Sequence, residues 1–138
     1  MQNRMVVTAG IALALTVSGC GGTHIMPRKA AHLTLDGSAH TTRPPACSQM
    51  QAYRTIDIRD RDGQVQAVML ISGDRVIPQF VKIRNIDGFT GSYYEGGVGD
   101  AHVDVNKNAF TITGSASGIN SNNPNKVVTT DFKISAEC

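Results

Sequence analysis

At 138 residues, with 41% hydrophobic and 17% charged side chains, the chain is long enough for one domain and short for two. Thirteen Lys and Arg stand against eleven Asp and Glu, a formal net charge of +2, and the two signs are interspersed. That balance lacks the clustered basic patch that nucleic acid requires and suits an ordinary soluble surface.

The N-terminus reads as an export signal. Met1 to Met5 is a polar n-region carrying one charge, Arg4, and Val6 to Val17 is an apolar h-region. Its length suits a cleaved signal, whereas a membrane-spanning helix needs about 20 residues. No later stretch is long and apolar enough to span. The signal ends Val17-Ser18-Gly19-Cys20, a bacterial lipobox. The Cys20 thiol is the nucleophile that takes a diacylglyceryl group, and the small residues before it admit a peptidase. Residues 1–19 are therefore expected to be removed and Cys20 to become the acylated N-terminus. Two or three acyl chains give stable anchoring where one gives marginal binding. The expected location is the extracytoplasmic face of the cell envelope. Residues 20–31 read as a tether holding Gly, Thr, Pro, Arg28 and Lys29.

From residue 32 the hydrophobic period is two, which predicts strands. Leu33 and Leu35 alternate with Thr34, and Asp36-Gly37 turns the chain. Ser38 to Pro45 is polar, a loop or an edge. Ile56 and Ile58 alternate with Thr55, Asp57 and Arg59, and Asp60-Arg61-Asp62-Gly63 is a turn. Val65 to Ile71 suits a strand buried on both sides; a helix also fits its spacing, but Gly63, Gly73 and its short length favour the strand. Val81 and Ile83 lead to Asp87-Gly88, a strong hairpin signal because this pair reaches positive φ cheaply. Phe89 to Tyr94 is the return strand, Gly96 to Gly99 a loop, and Val103 and Val105 belong to a further strand. Phe110, Ile112, Gly114 and Ala116 share one face of the clearest strand. Gly118 to Lys126, rich in Asn and containing Pro124, is predicted as a loop. Val128, Phe132, Ile134 and Ala136 share a face of the last strand, and Cys138 continues that phase. The expected fold is mainly β: one antiparallel β-sandwich or curled half-barrel over residues 32–138.

After Cys20, two cysteines remain, Cys47 and Cys138. In an oxidising compartment they are expected to form a disulfide; the alternative is free thiols. In phase with the core residues of the last strand, Cys138 would pin that strand to the region of Cys47.

No catalytic set is evident. Asp100, His102 and Asp104 share one strand face, but at about 6.5–7 Å spacing they are too far apart for three ligands on one metal ion. Asp60 to Gly63 opens like a calcium loop and lacks its closing Glu. Gly96-Gly97-Val98-Gly99 lacks the Lys and Ser/Thr of a phosphate loop. No Gly-x-Ser-x-Gly elbow occurs, and His24 and His40 fall where imidazoles are ordinarily solvated. The chain reads as non-enzymatic, with no catalytic residues, cofactor or metal.

These residues carry a resemblance. The lipobox, Leu35-Asp36-Gly37, Cys47, Val81-Lys82, the hairpin at Asp87-Gly88, the run from Phe110 to Ile119 and the final Asp131-Phe132-Lys133-Ile134 leading to Cys138 resemble the mycobacterial nineteen-kilodalton lipoprotein antigen family (the LpqH type). The thread Ile112-Thr113-Gly114-Ser115-Ala116-Ser117-Gly118, together with the last-strand Cys138, is fairly specific. The resemblance implies a surface-exposed envelope lipoprotein whose acylated Cys20 engages Toll-like receptor 2, and in some members a glycosylated adhesin. The tether departs from the family in lacking a long Thr/Ser/Ala-rich segment. The leading role expected for the β-domain is a binding or structural module; the main alternative is a carrier of a lipid or other apolar ligand, and a third, weaker reading is an enzyme whose residues come together only on folding. A filled core favours the first and a continuous apolar pocket the second.

Overall fold

The structure, a computed structural model, describes residues 28–138. The expected signal peptide (1–19), Cys20 and the tether up to residue 27 lie outside the described residues. Ten strands follow: β1 (His32–Leu35), β2 (Ser38–Thr41), β3 (Ala46–Met50), β4 (Tyr53–Asp60), β5 (Gly63–Ser72), β6 (Arg75–Ile86), β7 (Phe89–Tyr94), β8 (Ala101–Asn106), β9 (Ala109–Asn120) and β10 (Asn123–Glu137). All pairings are antiparallel, in one sheet of order β2-β1-β10-β9-β7-β6-β5-β4-β3. The half-barrel expectation is met. The sandwich is not, because the described residues form a single sheet that curls over its own inner face.

The curl follows from the two-residue period. Leu33, Ile56, Ile58, Met69, Val81, Ile83, Ile112 and Ile134 are buried from six different strands and converge on one core. Short turns set the register. At Asp36-Gly37 and Asp87-Gly88 both central residues have positive φ (47° and 80°; 51° and 77°), the conformation whose twist matches a tight hairpin. Arg61, also at positive φ, turns β4 into β5.

β5 differs from its prediction. Val65, Ala67 and Met69 are buried, but Gln64, Gln66, Val68 and Leu70 on the opposite face are only half-buried. With one layer, a strand has only one face to bury. The predicted loop from Gly118 to Lys126 is also corrected. β9 runs on to Asn120 and β10 restarts at Asn123, leaving a turn at Ser121 and Asn122. Pro124, which has no N–H for the ladder, sits where the register shifts between Asn123 and Val127. Ser38 to Thr41 forms an edge strand, one of the two readings of that segment.

β9 is shared by two neighbours on one side. β8 pairs with its first half, from Ala109 to Gly114, and β7 with its second, from Ser117 to Asn120. Gly114 ends the first of these contacts, and Gly118 lies within the second, opposite Gly91. A Cβ on Gly114 would strike the Asp100 carbonyl oxygen, and one on Gly118 the Thr90 carbonyl oxygen. The glycines of the 112–118 thread are thus the places where β9 must let another backbone approach.

Candidate functional site

The open seam of the curled sheet lies between its edge strands β2 and β3. Three contacts cross it. Cys47 on β3 is bonded to Cys138, just past β10, with Cα atoms 5.9 Å apart. The Arg43 backbone N–H donates to the Arg59 carbonyl at 3.3 Å. His40 on β2 reaches two carboxylates, with Nε2 2.7 Å from Asp87 Oδ2 and Nδ1 3.5 Å from Asp60 Oδ2. Beside this imidazole is a polar cleft of about 490 Å³, lined by Thr41, Asp60, Asp62, Asn85 and Asp87 among others.

His40 was expected in solvent. Instead its side chain is 23% exposed, because β2 brings it against the β4–β5 and β6–β7 turns. Nε2 is hydrogen-bonded to Asp87 and Nδ1 stands 3.5 Å from Asp60, so both ring nitrogens are turned toward carboxylates of this chain. The arrangement suits a clasp. Its partners are 20 and 47 positions away, so only the turn residues at Asp60 to Gly63 and Asp87-Gly88 were visible beforehand.

The other sequence candidates stay apart from this cleft. His102 Nε2 lies 3.2 Å from Asp104 Oδ1 with both side chains in solvent, 71% and 78% exposed. The Ser115 hydroxyl donates to Asp100 Oδ1 at 3.4 Å. No group of three or more potential metal ligands occurs among the described residues. The Tyr93 phenol is pushed above its ordinary value of 10.0, first by burial and then by the negative charges of Glu95 and Asp100. Arg54 shares the inward phase of Ile56 and Ile58, and its guanidinium carbon lies 5.6 Å from the centroid of the Phe110 ring. Its Nε is buried without a hydrogen-bond partner. Arg54 was not singled out from the sequence, although its two-residue phase with Ile56 and Ile58 was the signal for its place on the inner face.

The outer face also carries apolar groups. Across β3 to β6, Met50, Tyr53, Leu70 and Ile77 are in register; across β4 to β7, so are Thr55, Val68, Phe80 and Tyr94. The rings of Phe80 and Tyr94 are 6.0 Å apart, and Lys82 Nζ sits 5.0 Å from the Phe80 centroid.

Similarity to known proteins fits this architecture. The chain is 59% identical over 140 residues to the probable lipoprotein LppE of Mycobacterium tuberculosis (strain ATCC 25618 / H37Rv), covering all of both chains. A protein of Mycobacterium avium subsp. hominissuis (strain TH135), also named as a lipoprotein, is 34% identical over all of this chain and 97% of its own. One of Mycobacterium indicus pranii (strain DSM 45239 / MTCC 9506), named likewise, is 31% identical over all of both. The family description "Mycobacterium 19 kDa lipoprotein antigen" matches residues 24–138, which takes in every strand and both cysteines of the disulfide, and the chain belongs to that family.

Proposed function

We propose that this chain is a lipid-anchored envelope lipoprotein. Residues 1–19 are removed, Cys20 is acylated, residues 20–31 tether the chain, and the β-domain of residues 32–138 stands on the extracytoplasmic side as a non-enzymatic binding or structural module. The observation that carries this reading is the lipobox Val17-Ser18-Gly19-Cys20 in a chain of a lipoprotein antigen family. The module reading is supported by the inner face, which is occupied by branched aliphatic side chains from β1, β4, β5, β6, β9 and β10. A carrier of an apolar ligand needs that space for its cargo. The acyl groups on Cys20 are the part of the molecule that would engage Toll-like receptor 2, as the family resemblance implies.

The test is Cys20→Ala with membrane fractionation. Wild type is expected with membranes and carrying acyl mass. The variant is expected to be unprocessed at residue 20, free of acyl mass and inactive on receptor reporter cells. A wild-type chain without acyl mass, and a variant that fractionates identically, would overturn the reading.

A further inference from the structure

The outer face of β3 to β7 presents exposed apolar side chains. Two adjoining rows run across it, Met50–Tyr53–Leu70–Ile77 and Val68–Phe80–Tyr94. Met50 is 79% exposed, Tyr94 51% and Tyr53 45%, while Val68, Leu70, Ile77 and Phe80 are half-buried beside them. This is a contiguous apolar face and not a scatter of single exposed side chains. Its two tyrosines combine an apolar ring with a polar tip, which suits a boundary between hydrocarbon and water.

Next to these rows lies a basic shelf. In the following registers Lys82 stands beside Gln66, and Arg84 beside Gln64, which in turn is beside Arg59. Arg84 donates to Gln64 Oε1 at 2.9 Å, and Gln64 donates to Asp57 at 2.8 Å. Among the described residues none of Arg59, Lys82 and Arg84 forms an ion pair. Lys82 lays its ammonium over the Phe80 ring, so the cationic shelf and the apolar rows meet at one side chain.

We infer that this face docks on the surface of an anionic lipid bilayer, with Tyr53, Tyr94 and Met50 at the boundary of the acyl region and Lys82, Arg84 and Arg59 on headgroup phosphates. The inference rests on the anchoring proposed above. Ala31 is fixed to the domain, since the Thr42 backbone and hydroxyl both donate to its carbonyl at 2.9 and 3.1 Å. From Cys20 to Ala31 is eleven residues, a reach of at most about 40 Å, so the domain stays within touch of the leaflet that holds its lipid. The shelf carries three cations to one carboxylate, Asp57, which is in register with Gln66, and this net positive charge distinguishes the occupant from a second copy of the chain, whose identical shelf would repel it. Each basic residue near an anionic surface is worth about 1 kcal/mol, about a fivefold change in occupancy of the docked state.

The experiment uses the mature lipidated protein in nanodiscs containing phosphatidylglycerol, with a spin label on lipid headgroups. Signal attenuation is read by nuclear magnetic resonance at the methyl groups of Met50, Leu70 and Ile77 and, as a control, Val127. Val127 is 73% exposed and lies in β10, outside these rows. Attenuation is expected to be several-fold stronger at the first three. Lys82→Gln with Arg84→Gln, changes of exposed side chains, should reduce that contrast, as should discs of phosphatidylcholine alone. Equal attenuation on both sides, stronger attenuation at Val127, or protection of the rows by a dimer would overturn the docking face. Intact mass reports acylation separately: a chain without acyl groups that still shows the contrast on these discs overturns the anchor and supports the face.

Discussion

His40 lies across the seam from the turns it contacts, and its side chain is less exposed than that of Asp87, 23% against 48%. Removing it leaves Asp60 and Asp87 near one another with no donor between them. Because the site is partly solvated, the effect is modest. His40→Ala is expected to lower stability by about 1 kcal/mol in denaturant unfolding, and His40→Ala in an Asp87→Asn background to cost less than in wild type. Equal costs in the two backgrounds would show that the imidazole and the carboxylate do not cooperate. A second residue-scale effect belongs to Tyr93. Its raised phenol means that the folded chain holds this proton more tightly than the unfolded one. The associated stability is intact below the ordinary tyrosine value and is lost as pH rises through the folded one. Above about pH 10, melting temperature is therefore expected to fall more steeply for wild type than for Tyr93→Phe. Neither effect was legible in the sequence, because each depends on groups that only the curl or a loop brings together.

At the scale of elements, most of the fold was legible, since alternation reports which face a strand buries. Phe110, Ile112 and Ala116, and likewise Phe132, Ile134 and Ala136, are all buried as their phase requires. Alternation does not report how many layers a sheet has. Val68 and Leu70 looked like a second buried face of β5, yet they are half-buried on the outer surface. The pairing of β9 with both β7 and β8 was equally hidden, although the glycines that permit it were in view. Gly118→Ala places a methyl against the Thr90 carbonyl and the Cα of Gly91, in a region of backbone with nowhere to move. It is expected to cost on the order of 2 kcal/mol in chemical denaturation, while Gly73→Ser, which meets no atom but has a φ of 64°, is expected to cost less, about 1 kcal/mol, from backbone strain alone. A Gly118→Ala protein as stable as wild type would mean that β7 and β9 are not in this contact.

For the whole molecule, the disulfide holds the largest stretch of chain. It joins residues 91 positions apart and ties the β3 edge of the sheet to the end of β10. Replacing both cysteines with Ser is expected to lower stability by about 2–5 kcal/mol with the β-rich circular dichroism retained. Its pairing was readable because only two cysteines follow the lipobox; the seam it spans was not, because curling is a property of the assembled sheet. The family places this domain among lipoprotein antigens, and the proposed anchor lies at the other end of the tether, at Cys20. The most direct test of that anchor is intact and peptide mass spectrometry of the protein extracted from bacterial membranes. The expected result is a mature chain that begins at Cys20 and carries a diacylglyceryl group, with or without a third acyl chain on the amine. A membrane-derived chain that begins at Met1, or one that begins elsewhere and bears no acyl mass, would contradict it.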